Sequence, residues 1–424
     1  MKIHIKNGRL VDPHNGLDAK QDVFIAAGKV VAVGTMPDGF HANREIDATG
    51  LVVCPGLVDL AARLREPGLE HKATLESEVA AAITGGVTSL ACPPDTDPPL
   101  DEPGLVEMLK HRAKSLNQAR VYPIGALTQQ LAGERLTEMA ELRDAGCIAF
   151  SQADIPLIDH NVLLRAMQYA ATFDFTVWLR PQDAYLAKGG VAHDGEVASR
   201  LGLPGISVSA ETIALSTYFI LAREAGAKLH ICRLSSREGV GLVRAAKAQG
   251  LPVTCDVAAH HLHLSEMDIG YFDANCHVIP PFRSQRDREA LRDGVKDGTI
   301  DAVCSDHAPV DDDAKIQPFG EAEPGVTGLE LLLPLALKWG EECGASLADT
   351  LAKVTTEPAR ILGLANGHLS PGHIADVCIF DPEHWWKVEA RSLKSQGRNT
   401  PFYGMEVKGK VRYTLVDGHV VYES

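Results

Sequence analysis

Eight short apolar runs, rich in β-branched residues, recur between residues 51 and 304, with helical periodicity in the stretches between them. That alternation constrains the fold more than any other feature of the chain. The runs cover residues 51–60, 87–92, 121–127, 147–150, 175–179, 227–232, 253–257 and 300–304. Amphipathic segments at 76–84, 161–172 and 238–249 are the clearest of the intervening helices. Near-continuous apolar strands are those buried on both faces of a parallel sheet. The pattern predicts an α/β fold, a (β/α)8 TIM barrel. The structural rival, a doubly wound sheet, would carry a glycine-rich phosphate loop after its first strand, and none is present.

The two chain ends read differently. Short alternating runs at Val23-Phe-Ile-Ala and Lys29-Val-Val-Ala-Val are split by Asn7-Gly8, Gly28 and Gly34, which are hairpin signals. The same grammar returns in Ala375-Asp-Val-Cys-Ile-Phe and around the Asp417-Gly418 turn. Each end is too short for a stable sheet alone. Residues 1–54 and 365–424 are therefore expected to share one small β-sandwich domain, with the barrel at 55–364.

Composition excludes some partners. A formal net charge of −15 argues against nucleic acid or an anionic membrane as a main partner. The N-terminus lacks the apolar core of a signal peptide, and the longest apolar run, at 329–337, contains Glu330 and Pro334 and is too short to span a bilayer. Nine cysteines without a Cys-x-x-Cys pair read as free thiols of a cytoplasmic protein.

The first barrel strand runs into Pro55-Gly-Leu-Val-Asp-Leu-Ala-Ala-Arg-Leu-Arg-Glu-Pro-Gly68. This stretch resembles the dihydroorotase and hydantoinase signature of the amidohydrolase superfamily, Pro-Gly-Phe/Leu-Ile/Val-Asp-x-His-x-His-Leu-Arg-Glu/Asp-Pro-Gly. Pro93-Pro-Asp-Thr, Gly202-Leu-Pro-Gly-Ile, Pro280-Pro-Phe-Arg283, Gly298-Thr-Ile-Asp301 and Ser305-Asp-His-Ala-Pro309 follow in the family's order, so the resemblance covers nearly the whole chain. In that family the two signature histidines bind catalytic zinc. Here Ala61 and Arg63 stand in their places. Alanine offers no donor atom, and a guanidinium stays protonated with no free lone pair.

The same comparison extends to the other ligands that the resemblance implies. The bridging position after the fourth strand falls at Gln152 or Ala153, with Asp154 a residue or two out of place. Arg180 replaces the histidine after the fifth strand, and Arg233 the one after the sixth. Asp306, the family's proton shuttle, is kept, as is Arg65, which grips the substrate carboxylate in the family. Asp95 and Ile279, however, replace the asparagines that accompany Arg65, so both retained residues read as vestigial. Permanent positive charge where dications would sit opposes metal binding, and the expectation is no zinc and no cofactor.

The resemblance is strongest to inactive pseudo-dihydroorotases that associate with aspartate transcarbamoylase in pyrimidine biosynthesis. It implies a non-catalytic assembly subunit, a homodimer within a larger hetero-oligomer containing the transcarbamoylase catalytic chain. Two alternatives remain open. One is an active hydrolase with a single metal on Asp306, His307 and His260 or His261. The other is an anion-sensing module built on Arg63, Arg65, Arg180 and Arg233. A self-neutralising network of those arginines with Asp306, Asp59, Asp95 and Asp183 is the plainer reading of the charges. Trp385-Trp386 reads as domain packing, and 310–325, rich in Asp, Pro and Gly, as a mobile loop.

Overall fold

The computed structural model describes residues Met1–Ser424. Eight parallel strands lie in sequential order: β1 (Leu57–Asp59), β2 (Val87–Cys92), β3 (Arg120–Ala126), β4 (Ala149–Ser151), β5 (Thr176–Leu179), β6 (Lys228–Ile231), β7 (Val253–Ala258) and β8 (Ala302–Cys304). The main helices following them are α1 (Leu75–Thr84), α2 (Pro103–Ser115), α3 (Met139–Ala145), α4 (His160–Thr172), α5 (Val208–Ala225), α6 (Arg237–Ala248), α7 (Gln285–Lys296) and α8 (Leu332–Cys343). This is the expected (β/α)8 barrel. Its ends close just beyond the first and last strands, where the His307 N–H donates to the Ala61 carbonyl at 2.9 Å. The Arg63 N–H donates back to the His307 carbonyl at 2.8 Å.

The barrel interior is filled by Val58, Leu60, Ala91, Ile124, Trp178 and Ala302, with Leu362 packed among them. Each fully buried Val or Leu contributes about 1.5–3 kcal/mol of transfer free energy. The larger core lies between the strands and the outer helices.

The sequence reads residues 51–60 as one strand, and the structure divides it at Gly56. Val52–Pro55 pairs with Arg9–Asp12 and Val377–Lys387 in a six-stranded sheet, whereas Leu57–Asp59 enters the barrel. Periodicity cannot locate such a hand-over, because both halves are buried. A Cβ at Gly56 would lie 2.2 Å from the Thr88 hydroxyl, which explains the glycine at the crossing. The six-stranded sheet and a four-stranded sheet built from Lys2–Lys6, Val23–Ala26, Lys29–Val33 and Arg44–Asp47 enclose a second core of Ile3, Ile25, Val53 and Ile379. The two chain ends thus form one β-sandwich. Trp386 packs inward and donates to the Gly409 carbonyl at 2.9 Å, while Trp385 is exposed.

All nine cysteines are free, and no helix is long and apolar enough to cross a membrane. The 310–325 segment is tied down by Lys315, which donates to the carbonyls of Ala274 and His277, and by the Glu323–Lys72 ion pair at 2.6 Å.

Candidate functional site

The carboxyl ends of the strands converge on a cleft of about 240 Å³. Side chains at this end of a barrel come from separate loops on a rigid frame, so residues far apart in sequence meet. Arg63 follows β1, Asp95 follows β2, Asp154 follows β4, Arg180 follows β5, Arg233 follows β6 and Asp306 follows β8. The three arginines and Asp306 are buried.

These six groups form one network, organised around Asp154. Its Oδ1 accepts from Arg180 Nε at 2.5 Å and from Arg233 Nη2, and its Oδ2 accepts from Arg63 Nη2 at 2.6 Å. Arg63 Nε donates to Asp95 at 2.7 Å, and Asp306 Oδ1 accepts from Arg233 at 3.0 Å and Arg63 at 3.3 Å. Burial opposes ionisation of Asp154, but Arg233, Arg63 and Arg180 outweigh it and hold the carboxyl below its usual range. Burial raises Asp306, against the pull of Arg233 and Arg63. The two carboxyls occupy one charge cluster yet shift in opposite directions, because Asp154 touches three guanidiniums and Asp306 two.

Three arginines face three carboxylates, so the network is neutral. Its membership differs from the sequence reading. Asp95 and Asp306 belong to it, but Asp59 and Asp183 do not. Asp59 accepts from the Ser305 backbone at 2.7 Å and hydroxyl at 2.5 Å, and Asp183 caps the N–H groups of Tyr185 and Leu186. The central acid is Asp154, which the sequence places out of register. Alignment counts positions along the chain, whereas Ala153, with φ of 52°, turns the backbone so that Asp154 faces the cleft. Arg65, Arg233 and Asp306 also have positive φ. Such conformations are uncommon outside glycine and cluster at functional sites.

The remaining expected residues are accounted for one by one. Ala61 lies buried in the barrel interior. Gln152 accepts from the Thr128 hydroxyl and donates to the Leu131 carbonyl at 2.7 Å, turned away from the cleft. Arg65 lines the cleft and donates to the Pro309 carbonyl at 2.8 Å without a carboxylate partner. Ile279 lines the cleft, and its carbonyl lies 3.4 Å from Arg233. His307 donates from Nε2 to Glu78 at 2.5 Å and accepts on Nδ1 from the Gly328 N–H, so both ring nitrogens are occupied. His260 and His261 are buried, and burial pushes both down to about 3. His260 Nε2 lies 4.0 Å from Asp306, whereas His261 Nε2 donates to the Pro280 carbonyl at 3.2 Å.

One donor cluster escapes the sequence reading. His230, Cys232 and Asp256 bring their donor atoms within 4.8 Å of one another. His230 donates to Asp256 at 2.9 Å and meets the Thr254 hydroxyl at 2.8 Å, and Asp256 also accepts from the Arg233 N–H. The cluster positions the backbone of Arg233. A cavity of about 940 Å³ opens at the other end of β3, between α2 and the C-terminal strands, and none of these site residues line it.

The "Dihydro-orotase-like" family model matches residues 50–239, and the "Amidohydrolase family" model matches residues 195–421. A dihydroorotase-like protein of Pseudomonas aeruginosa is 47% identical over 423 residues, covering all of both chains. The chain belongs to the dihydroorotase-like amidohydrolases. Within that family, a dihydroorotase of Geobacter sp. strain M21 is 42% identical over 427 residues, again across both full lengths. The L-hydantoinase of Arthrobacter aurescens superposes with a TM-score of 0.89 at 26% identity, covering 99% of this chain and 96% of that one. This dihydroorotase-like chain thus carries the TIM barrel and sheet domain of cyclic-amide hydrolases, with arginine–aspartate pairs across its mouth.

Proposed function

We propose that this dihydroorotase-like barrel is non-catalytic, binds no zinc, and serves as an assembly subunit for the catalytic chain of aspartate transcarbamoylase. One observation carries the loss of metal: the carboxylates of Asp95, Asp154 and Asp306, which a dication would need, are committed to Arg63, Arg180 and Arg233. Guanidiniums have no lone pair to offer, and a dication entering among them meets three fixed positive charges in a partly dry cleft. Displacing the arginines would strand buried cations, which costs about 3–5 kcal/mol for each broken pair. Cyclic-amide hydrolysis also needs an activated water; the one ring nitrogen near Asp306 without a hydrogen-bond partner, His260 Nε2 at 4.0 Å, is buried beside Arg233 and would have to act without a metal. The partner rests on the family resemblance, since a barrel kept for its outer surface can lose its mouth chemistry and keep its fold.

The test is direct. Protein purified without chelator should contain far less than one zinc per chain by elemental analysis and should not open the dihydroorotate ring. It should also co-purify with transcarbamoylase, whose assembly should change when this chain is absent. Stoichiometric metal with turnover would overturn the non-catalytic reading, and an unchanged transcarbamoylase assembly would overturn the partner.

A single-metal hydrolase using Asp306, His307 and His260 or His261 would have to release His307 from Glu78 and Gly328. The anion-sensing alternative retains one free cation, Arg65. Thermal stabilisation by carbamoyl aspartate or dihydroorotate that vanishes in Arg65→Met would favour it.

A further inference from the structure

Charge is unevenly placed on this chain. Aspartates and glutamates outnumber lysines and arginines by 56 to 41, yet the cavity of about 940 Å³ at the amino end of β3 is cationic. It lies where α2 and β3 of the barrel meet the C-terminal strands Glu406–Val416 and His419–Glu423. Lys110, Lys114 and Arg120 line it against a single carboxylate, Asp417, and His111 and His419 add two imidazoles.

Arg120 is already neutralised, since its guanidinium binds Asp376 and Asp417. The two ammoniums are not. The ion pair on α2 belongs to Arg112, which meets Glu66 at 2.6 Å, and neither Lys110 nor Lys114 takes part in one. Lys110 Nζ donates to the Ala145 carbonyl at 2.9 Å, in a space that Gly146 leaves open. A Cβ on that glycine would lie 1.9 Å from the nitrogen. Lys114 follows four residues later, on the same face of the helix, and a like-charged pair at that spacing is destabilising by itself. An anion between them would remove the repulsion.

The remaining wall is largely apolar, with Val416, Val420 and Val421 on the strands and Leu116, Val121 and Ile148 on the barrel side. Gln118 also lines it, and its side-chain carbonyl is buried without a hydrogen-bond partner, a state that costs free energy until a donor arrives. Small-molecule sites are concave, mostly apolar with a few placed polar groups, about 300–1,000 Å³ in volume and often at domain junctions. This cavity has that size and stands on the junction between barrel and terminal domain.

We propose that the cavity binds an amphipathic organic anion, with its phosphate or carboxylate head between Lys110 and Lys114 and its apolar body against the valines of the C-terminal strands. A bare inorganic anion would leave that apolar wall in water, and a cationic ligand would meet the unpaired ammoniums. The site is separate from the barrel mouth and independent of whether the mouth is catalytic.

Anilinonaphthalene sulfonate, an anionic head on fused rings whose fluorescence rises in apolar surroundings, is the probe. Titrated into the full chain, it should saturate at about one equivalent. Lys114→Glu and Lys110→Glu should each weaken it by about 10-fold or more, with an unchanged circular dichroism spectrum. Arg65→Met, at the opposite end of the barrel, should leave binding unchanged. Displacement by decanoate assigns an aliphatic body to the ligand, and displacement by adenosine monophosphate a planar one. Displacement by neither, or by inorganic phosphate at the same concentration, overturns the proposal. So does a titration that fails to saturate, one that both lysine variants leave unmoved, or one that Arg65→Met abolishes.

Discussion

Replacing Asp154 by asparagine keeps the side-chain shape and removes the one charge shared by three guanidiniums. Arg63 would keep Asp95 and Asp306, and Arg233 would keep Asp306. Arg180 would be left with neutral partners alone, Gln182 and the residue-154 carbonyl. The network would pass from three positive and three negative charges to three and two. Removing one partner of a buried ion pair costs about 3–5 kcal/mol. The Asp154 side chain is 30% exposed to the cleft, so the lower end, ~3 kcal/mol, is expected. Urea unfolding of wild type and Asp154→Asn measures it. Asp154→Asn/Arg180→Gln removes the stranded cation with the anion and should recover about half of the loss. Acetate, which matches the group removed in Asp154→Gly, should stabilise that variant and leave the wild type unchanged. A loss below about 1 kcal/mol, or a double variant no better than the single one, would refute the view that Asp154 holds the mouth together.

Acid should weaken the fold before its carboxylates titrate. His260 and His261 are held near 3 in the folded chain, against about 6.5 when unfolded, so the unfolded chain binds protons first. Their contribution is fully present above about pH 6.5 and falls as the pH drops toward 3, by up to about 1.4 kcal/mol per unit for each histidine. Unfolding midpoints across pH 4–7 should therefore have a shallower slope in His261→Asn. Gly56→Ala should cost about 1–3 kcal/mol by overpacking against Thr88, read from urea midpoints. Arg120 joins β3 to the terminal domain through buried Asp376 and through Asp417 at 2.5 Å. Arg120→Met should make the terminal domain easier to cleave by limited proteolysis, and an unchanged digestion pattern would show that the apolar contacts suffice.

Much of the barrel was legible because each strand, buried on both faces, leaves an unbroken apolar run. The boundary at Gly56 was not, since both halves of residues 51–60 are equally buried and only sheet membership differs. The run at 147–150 shows the same limit, its strand being Ala149–Ser151. The arginines that meet in the mouth, Arg63, Arg180 and Arg233, could be read directly, as the identity of a side chain is a one-dimensional fact. Their counter-ions could be read only in part: Asp95 and Asp306 were expected, but the central Asp154 was not, because which carboxylate reaches the arginines depends on backbone turns such as that at Ala153. Asp183 illustrates the converse: an aspartate two and three residues before N–H groups it can cap is a recognisable turn signal, and it outweighed the attraction of distant arginines.

The left-handed backbone at Arg65, Ala153, Arg233 and Asp306 bends four separate segments of the rim, and the bend at Ala153 turns Asp154 into the cleft. On the non-catalytic reading proposed above, imidazoles introduced at residues 61, 63, 180 and 233 would have to displace the arginine–aspartate pairs while keeping those turns. Loop shape and side-chain identity can then be varied separately, which makes this rim a place to ask which of the two a metal site needs first.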